Sequence, residues 1–396
     1  MARRSIEQEL ETLRADGLFR STREASRGGA RIDIQGRSVV NFSSNDYLNL
    51  AGDERLKAAA LLAVQQYGTG STASPLMSGR IALHADLERD LAQWIGTESA
   101  IVFGSGFLAN VGTVSSLMGR KDLIVADRMI HASLIDGARL SRATLLRFDH
   151  NDPASLGRLL AKNSEIHGRV LVVTESIFSM DGDVAPLREI AKAARHYDAL
   201  FMVDEAHALG AYGPNGRGFS SGLPKELRPD LFVGTFGKAF GGYGAFVGCS
   251  DAMRDYLVNR ARSYIYSTAP APASLGAARE AIRIVDHPAV GSSKTSELGR
   301  QLKRRITILE EMLNESGFET PRQGTPILPI VIGENKAAVE ATESLLKDGV
   351  LAVAVRPPTV PEGTARLRLS VTLGHTDQDF KQLINALKRW RDASRQ

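Results

Sequence analysis

Cysteine is almost absent from this chain: Cys249 is the only one in 396 residues. A lone thiol excludes an intrachain disulfide framework, and no Cys/His cluster has zinc-ligand spacing, so no metal site is expected. Cys249 reads as buried packing in a reducing, cytoplasmic protein. Long apolar runs are also missing, which excludes a bilayer-spanning helix. Nor is there a block of one charge: 49 Lys and Arg stand against 45 Asp and Glu, a net charge of +4 scattered along the chain, which does not argue for nucleic acid binding. Met1 to Leu13 carries Arg3 and Arg4, but Ile6, Leu10 and Leu13 then follow with charges between them. That is the spacing of an amphipathic helix, not of a secretion signal.

What is present is an ordinary globular composition, 43% hydrophobic with 37 Gly and 15 Pro. The length suggests two or three packed units. Between Ser99 and Gly248 short apolar runs recur with room for a helix between most of them: Ala100–Phe103, Leu123–Ala126, Val170–Thr174, Leu200–Asp204, Leu231–Thr235 and Ala245–Gly248. Runs with little polar alternation suit strands covered on both faces, and Pro186 to Tyr197 has helical period with Pro in the first turn. This pattern predicts an α/β domain with a mainly parallel sheet. After Pro288 a charged helical stretch through Arg304 and Glu311 precedes Ile327–Ile332, a helix near Val339–Lys347, then Ala352–Val355 and Leu367–Val371, which reads as a smaller α+β domain. The first fifty residues hold a helix and a hairpin, Arg31–Phe42 around Gly36, too little to stand alone. The expected organisation is therefore 1–50 as an N-terminal segment, 51–287 as the large domain and 288–396 as the small one.

In a parallel α/β sheet ligands gather beyond the carboxyl ends of the strands. Four places there carry candidate chemistry. The run ending in Asp204-Glu-Ala-His207 puts a carboxylate at a strand tip and an imidazole three residues on; alone, such a pair is as readily a turn cap with a packed histidine. Lys238 lies just past the next run among glycines, Phe236-Gly-Lys238-Ala-Phe-Gly-Gly242, which would let a ligand approach the backbone; alone it is a loop lysine, but an amine held in such a place can become a Schiff-base nucleophile. Gly104-Ser-Gly106-Phe107 closes a strand and opens a helix, where backbone N–H groups can receive a phosphate. His131 follows the strand tip at Asp127 and could stack on a flat ring or move a proton.

Two readings unite these residues. Gly104-Ser-Gly-Phe-Leu-Ala109 with Asp127 closing the next strand imitates a dinucleotide fingerprint, which would make the chain a nicotinamide-dependent oxidoreductase. That leaves Lys238 and the Asp204/His207 pair unexplained. A carboxylate, a lysine, a phosphate cradle and a stacking histidine together are what pyridoxal 5'-phosphate asks for.

The motifs Asn41-Phe-Ser-Ser-Asn45-Asp-Tyr-Leu48, Ser105-Gly-Phe, Asp127 through His131-Ala-Ser133, Glu175-Ser-Ile-Phe-Ser179-Met-Asp-Gly-Asp183, Asp204-Glu-Ala-His207, Thr235-Phe-Gly-Lys238 and Tyr266-Ser-Thr268 span nearly the whole chain. Together they resemble the α-oxoamine synthase family of fold-type I pyridoxal phosphate enzymes. The resemblance implies a large seven-stranded, mainly parallel domain with a small C-terminal α+β domain. It implies that Lys238 holds the cofactor as a Schiff base, Asp204 pairs with the pyridine nitrogen, His207 bonds the ring hydroxyl and His131 stacks on the ring. Ser179 and Thr235 would touch the cofactor, with Gly106 and Phe107 at its phosphate. Thr268 would reach that phosphate from the other subunit of a homodimer with shared sites. Arg368 would clamp the amino-acid carboxylate, and Thr359, Asn45 and Arg20 would line the substrate side.

The tail Arg356-Pro-Pro-Thr-Val-Pro-Glu-Gly-Thr-Ala-Arg-Leu-Arg368-Leu resembles the branch of the family that condenses L-alanine with a pimeloyl thioester, on coenzyme A or a carrier protein, in biotin synthesis. The loop Gly70 to Gly79 lacks the Gly-Gly pair and the arginine of glycine-using relatives. Within the family the alternative is a member that joins glycine or serine to an acetyl, succinyl or long-chain acyl thioester.

Overall fold

The computed structural model describes residues 5–25, 28–287 and 295–394. Arg3, Arg4 and the expected domain boundary at Pro288 lie outside them. The helix Ile6–Ala15 starts at a Ser5/Gln8 capping box and buries none of its side chains. Thirteen strands among the described residues follow the order β1 (Arg31–Ile34), β2 (Arg37–Asn41), β3 (Ser99–Phe103), β4 (Leu123–Asp127), β5 (Thr144–Phe148), β6 (Val170–Glu175), β7 (Leu200–Asp204), β8 (Leu231–Thr235), β9 (Ala245–Cys249), β10 (Ile327–Gly333), β11 (Val350–Leu351), β12 (Ala354–Val355) and β13 (Ala365–Ser370). The chain divides into two compact units, one of residues 50–179 and 184–300, the other of residues 1–49, 180–183 and 301–396.

The unit of residues 50–179 and 184–300 is built on a seven-stranded sheet in the order β3-β9-β8-β7-β6-β4-β5, with β9 antiparallel to both neighbours and the rest parallel. Six of these strands are the apolar runs of the sequence, extended by a residue or less at each end in most cases. They are buried on both faces because one set of side chains (Ile124, Leu171, Met202, Val233) enters one core and the alternate set (Leu123, Val172, Phe201, Val203) enters another. The seventh, β5, was not expected. It is an edge strand in which only Phe148 is buried, so Thr144 and Arg147 break the apolar pattern that would have marked it. Pro186 is the N-cap of the helix Leu187–His196 and not part of its first turn; its carbonyl accepts from Ile190 N–H at 3.1 Å. Cys249 closes β9 and is buried, which pushes its thiol up to about 12.

In the other unit the N-terminal hairpin turns on Gln35 and Gly36, both at positive φ, the geometry that matches strand twist. Its strand β2 then pairs in parallel with β11 from the far end of the chain, so the hairpin is completed by residues more than three hundred positions away. Ile32, Ile34, Val39 and Leu351 form the cluster beneath it. A second three-stranded sheet, β10-β13-β12, carries Arg368 on its central strand. The expected single run Ala352–Val355 is split: Ala352 and Val353 separate β11 from β12, which belong to different sheets. No helix among the described residues is long and apolar enough to cross a membrane.

Candidate active site

Asp204 ends β7, beside Glu175, which ends β6 in register with it. Of the tight turn that follows, each residue has one task. Asp204 Oδ1 accepts from Ala206 N–H at 2.9 Å. The neighbouring Glu205, wholly buried, turns away and accepts the N–H groups of Ser220 at 2.6 Å and Phe219 at 3.1 Å. His207 Nε2 accepts from Lys238 Nζ at 2.7 Å. Lysine, carboxylate and imidazole are thus brought to the carboxyl ends of adjacent strands, as the motif spacing predicts.

Of the glycines around Lys238, Gly241 is required by the chain itself, whereas Gly237 and Gly242 have no neighbour closer than 3.5 Å to a Cβ position. Gly241 has φ +61, and a Cβ there would lie 2.3 Å from Ala51 N. Its own N–H donates to Lys238 C=O at 2.9 Å, closing the loop that carries the lysine. Thr235 Oγ accepts from Gly237 N–H at 3.2 Å and donates to Gly244 C=O at 3.0 Å, so this side chain pins both ends of the same loop.

A helix opens after β3 where the sequence reading places one. Ser105 caps the helix Gly106–Leu117, its Oγ accepting from Leu108 N–H at 3.3 Å, which leaves the N–H groups of Gly106 and Phe107 in the first turn. Gly106 lies beside Thr235: a Cβ on it would be 3.9 Å from Thr235 Oγ. Thr268 is exposed, two residues from an exposed Tyr266. Ser179 is the last residue of this unit before the chain crosses to the other at Met180.

His131 is the N-cap of the helix Ala132–Ser141. Its backbone N–H donates to Glu175 Oε1 at 2.5 Å, and its Nδ1 lies 2.7 Å from Ser133 Oγ and accepts from Ser133 N–H at 3.3 Å. Burial holds this imidazole below its ordinary pKa; Lys238 pushes the same way, while Asp204 and Asp136 oppose. Burial, and then the neighbouring Asp204, push Glu175 well above its ordinary value and so toward the neutral acid, while Lys238 and the His131 N–H pull the other way.

Asp127, offered by the dinucleotide reading as a ribose ligand, is fully buried and committed. Oδ1 takes Met129 N–H and His150 Nδ1, both at 2.8 Å, and Oδ2 takes Asn151 N–H at 2.9 Å. That reading is therefore set aside.

In the other unit Arg368 is held by three side chains. Its Nη1 donates to Asn45 Oδ1 at 3.1 Å and Ser370 Oγ at 2.8 Å, and Nη2 lies 3.5 Å from Tyr47 Oη. Tyr47 in turn donates to Asn45 Oδ1 at 3.1 Å; burial raises its phenol further from ionisation, against the pull of Arg368. Arg20 is exposed and donates to Pro357 C=O at 3.1 Å, beside Arg356 and in the same loop region as the exposed Thr359.

Four residues of these clusters were missed as site residues. Glu175 closes a strand just as Asp204 does, so the strand-tip rule would have found it. Asn110 is the one amide in the apolar stretch from Phe107 to Val111, a signal in its own right. Ser133 and Tyr47 were quoted in motifs but given no role. The donor set fits pyridoxal phosphate: a lysine amine, a carboxylate for a ring nitrogen, a second imidazole and the free N–H groups of a long helix, with a buried Asn110 Oδ1 that no protein donor reaches.

Residues 37–387 match the aminotransferase class I and II family model. The 8-amino-7-oxononanoate synthase of Geobacter sulfurreducens is 46% identical over 98% of this chain and 97% of its own. Among solved structures, a serine palmitoyltransferase from S. paucimobilis with bound PLP–myriocin aldimine superposes with a TM-score of 0.89 at 28% identity, over 98% of this chain and 97% of the other. The 8-amino-7-oxononanoate synthase of Francisella tularensis does so with a TM-score of 0.74 at 30% identity, over 90% of this chain and 99% of the other. This chain belongs to the aminotransferase class I and II family, in its α-oxoamine synthase branch.

Proposed function

We propose that the protein is a pyridoxal-phosphate-dependent acyltransferase that joins L-alanine to a pimeloyl thioester, releasing carbon dioxide, the free thiol and 8-amino-7-oxononanoate for biotin synthesis. The observation that carries the chemistry is Lys238 Nζ against His207 Nε2 at 2.7 Å, beside the strand-tip Asp204. The full-length similarity to 8-amino-7-oxononanoate synthases supports the choice of substrates.

Lys238 would hold the cofactor aldehyde, Asp204 the ring nitrogen and His207 the ring hydroxyl, with Ser179 and Thr235 touching the cofactor and Gly106 and Phe107 near its phosphate. When bound, the cofactor supplies an electron sink for bonds breaking at the amino-acid Cα. Arg368 binds the substrate carboxylate with its planar fork, already oriented by Asn45, Tyr47 and Ser370. Lys238 would take the Cα proton of the bound amino acid and later return one to the same carbon. His131 stacks on the ring and donates a hydrogen bond to the thioester carbonyl, polarising it for attack. Thr359, Asn45 and Arg20 line the substrate side, and the acyl group arrives on coenzyme A or an acyl carrier protein, which present the same thioester.

The assembly is a homodimer in the cytoplasm. Support for it lies in large apolar side chains left exposed in one unit, among them Leu61 (63%), Leu62 (65%), Met77 and Tyr266, the last next to Thr268. Purified protein should show a visible cofactor band that borohydride fixes on Lys238, shift that band most with alanine, and release 8-amino-7-oxononanoate by mass spectrometry. A band that answers glycine or serine instead would move the substrate to another branch of the family. No band after adding pyridoxal phosphate would overturn the reading.

A further inference from the structure

Asn110 lies on the helix Gly106–Leu117, is 2% exposed, and belongs to no motif discussed above. Its Nδ2 donates twice, to Asp204 Oδ2 at 2.8 Å and to Ser133 Oγ at 3.0 Å. The direction of every bond in this group follows from donor and acceptor chemistry. Asp204 Oδ2 is the acceptor of this bond, so the amide turns its NH2 and not its carbonyl toward it. Both amide hydrogens are then used, and Ser133 Oγ is a receiver from Asn110. The Ser133 hydroxyl hydrogen is left for His131 Nδ1, 2.7 Å away, and Ser133 N–H is aimed at the same nitrogen at 3.3 Å. Two donors converge on Nδ1, which therefore carries no proton.

We propose that Asn110 is a positioning residue that ties Asp204 to His131 through Ser133 and locks the neutral imidazole in the tautomer with its proton on Nε2, making His131 a hydrogen-bond donor at that nitrogen. One amide thus sets both the orientation of the ring-nitrogen partner and the donor role of the stacking histidine. The inference rests on the proposed cofactor chemistry for its consequence, but not for its geometry, which involves protein atoms alone.

The test is the imidazole ¹⁵N spectrum of His131, recorded on the cofactor-free and the cofactor-loaded protein, together with visible circular dichroism of the loaded form and a kcat against KM comparison. In the unaltered protein His131 should show the Nε2-protonated pattern in both forms. Asn110→Ala should shift it toward a tautomer mixture, change the dichroism of the cofactor band and lower kcat about tenfold or more with little change in KM for the acyl thioester. Ser133→Ala keeps the Asn110–Asp204 bond and the backbone N–H at Nδ1, and removes only the hydroxyl that links Asn110 to His131. It should shift the tautomer while leaving the dichroism closer to that of the unaltered protein, and it decides the matter if Asn110→Ala does not fold. A folded Asn110→Ala or Ser133→Ala protein whose His131 spectrum is unchanged would overturn the proposal. Because the cofactor-free spectrum needs no pyridoxal phosphate, failure of the relay is distinguishable from failure of the proposed activity.

Discussion

Glu175 and Asp204 end adjacent parallel strands in register, and the two carboxylates do different work. Asp204 takes the Asn110 amide and the Ala206 N–H, whereas Glu175 takes the backbone N–H of His131. Two like charges at that spacing in a buried place are costly, and burial together with Asp204 accordingly pushes Glu175 upward, toward its neutral form.

It follows that Glu175→Gln should be nearly silent in stability, because the amide replaces an acid whose neutral form burial favours and still offers an oxygen to His131 N–H. Glu175→Ala leaves that buried N–H without its acceptor and should cost about 1–3 kcal/mol. Urea unfolding of the two variants separates them; equal losses would mean that Glu175 is ionised in the fold.

Replacing Lys238 by Ala should abolish the borohydride-fixed adduct and lower turnover by roughly three orders of magnitude or more. Peptide mass mapping after reduction checks the first and single-turnover assays the second. Near-normal turnover would sink the mechanism.

Arg368 is a planar fork engaged by Asn45 and Ser370 on one nitrogen, a geometry that Lys cannot reproduce. Arg368→Lys should raise KM for alanine by about ten- to a hundredfold, the order of one to two charge-assisted hydrogen bonds. KM for the acyl thioester should change much less, and a steady-state matrix of both substrates shows which one depends on the guanidinium.

Gly241→Ala forces a Cβ against Ala51 N at 2.3 Å in a left-handed backbone. The loop that carries Lys238 must shift, so the variant should lose more than about 1 kcal/mol of stability and lose cofactor affinity together. Calorimetry and a cofactor titration on the same sample test this; loss of one without the other would mean that the loop does not couple them.

Two buried histidines set the response to acid. His375 stacks on Phe42 at 4.2 Å, its Nδ1 accepts from Thr372 N–H and its Nε2–H donates to Asn41 C=O, while burial pushes its pKa down to about 4. His84, with neither ring nitrogen hydrogen-bonded, is likewise pushed down to about 4, by burial and then by Arg80. In the unfolded chain both titrate near 6.5, so between these values the unfolded state binds more protons than the native one. Stability is then full above pH 6.5 and falls as pH drops toward 4, by about 3 kcal/mol for each histidine. Denaturant midpoints measured across that window should fall steeply, and His375→Gln should remove part of the slope. A flat profile between pH 6.5 and 4 would contradict these buried neutral imidazoles.

Six of the seven strands of the large sheet, the lysine loop, the carboxylate and imidazole of the Asp204-Glu-Ala-His207 turn, and the capped helix at Ser105 were legible in the residues. Burial on both faces and capping leave local marks on sequence. The edge strand β5 left none, since half of it faces solvent. Nor could local pattern tell that β2 would be completed by β11, because pairing partners so far apart are chosen by the whole packed unit.

Among the site residues, the chain alone determined which groups reach the strand ends, since a strand's last residue is set by where its apolar run stops. What each group does there was decided by tertiary contacts. Asp127 and Asp204 both close buried strands, yet Met129, His150 and Asn151 bind the first, while Asn110 and Ala206 bind the second. Among the glycines near Lys238, Gly241 is the one that the chain needs, since a Cβ there would meet Ala51 N, which sequence spacing alone does not reveal. A residue's type and spacing fix the reach of its side chain, but its partners come from segments distant in the chain, and only their packing selects which hydrogen bonds are made.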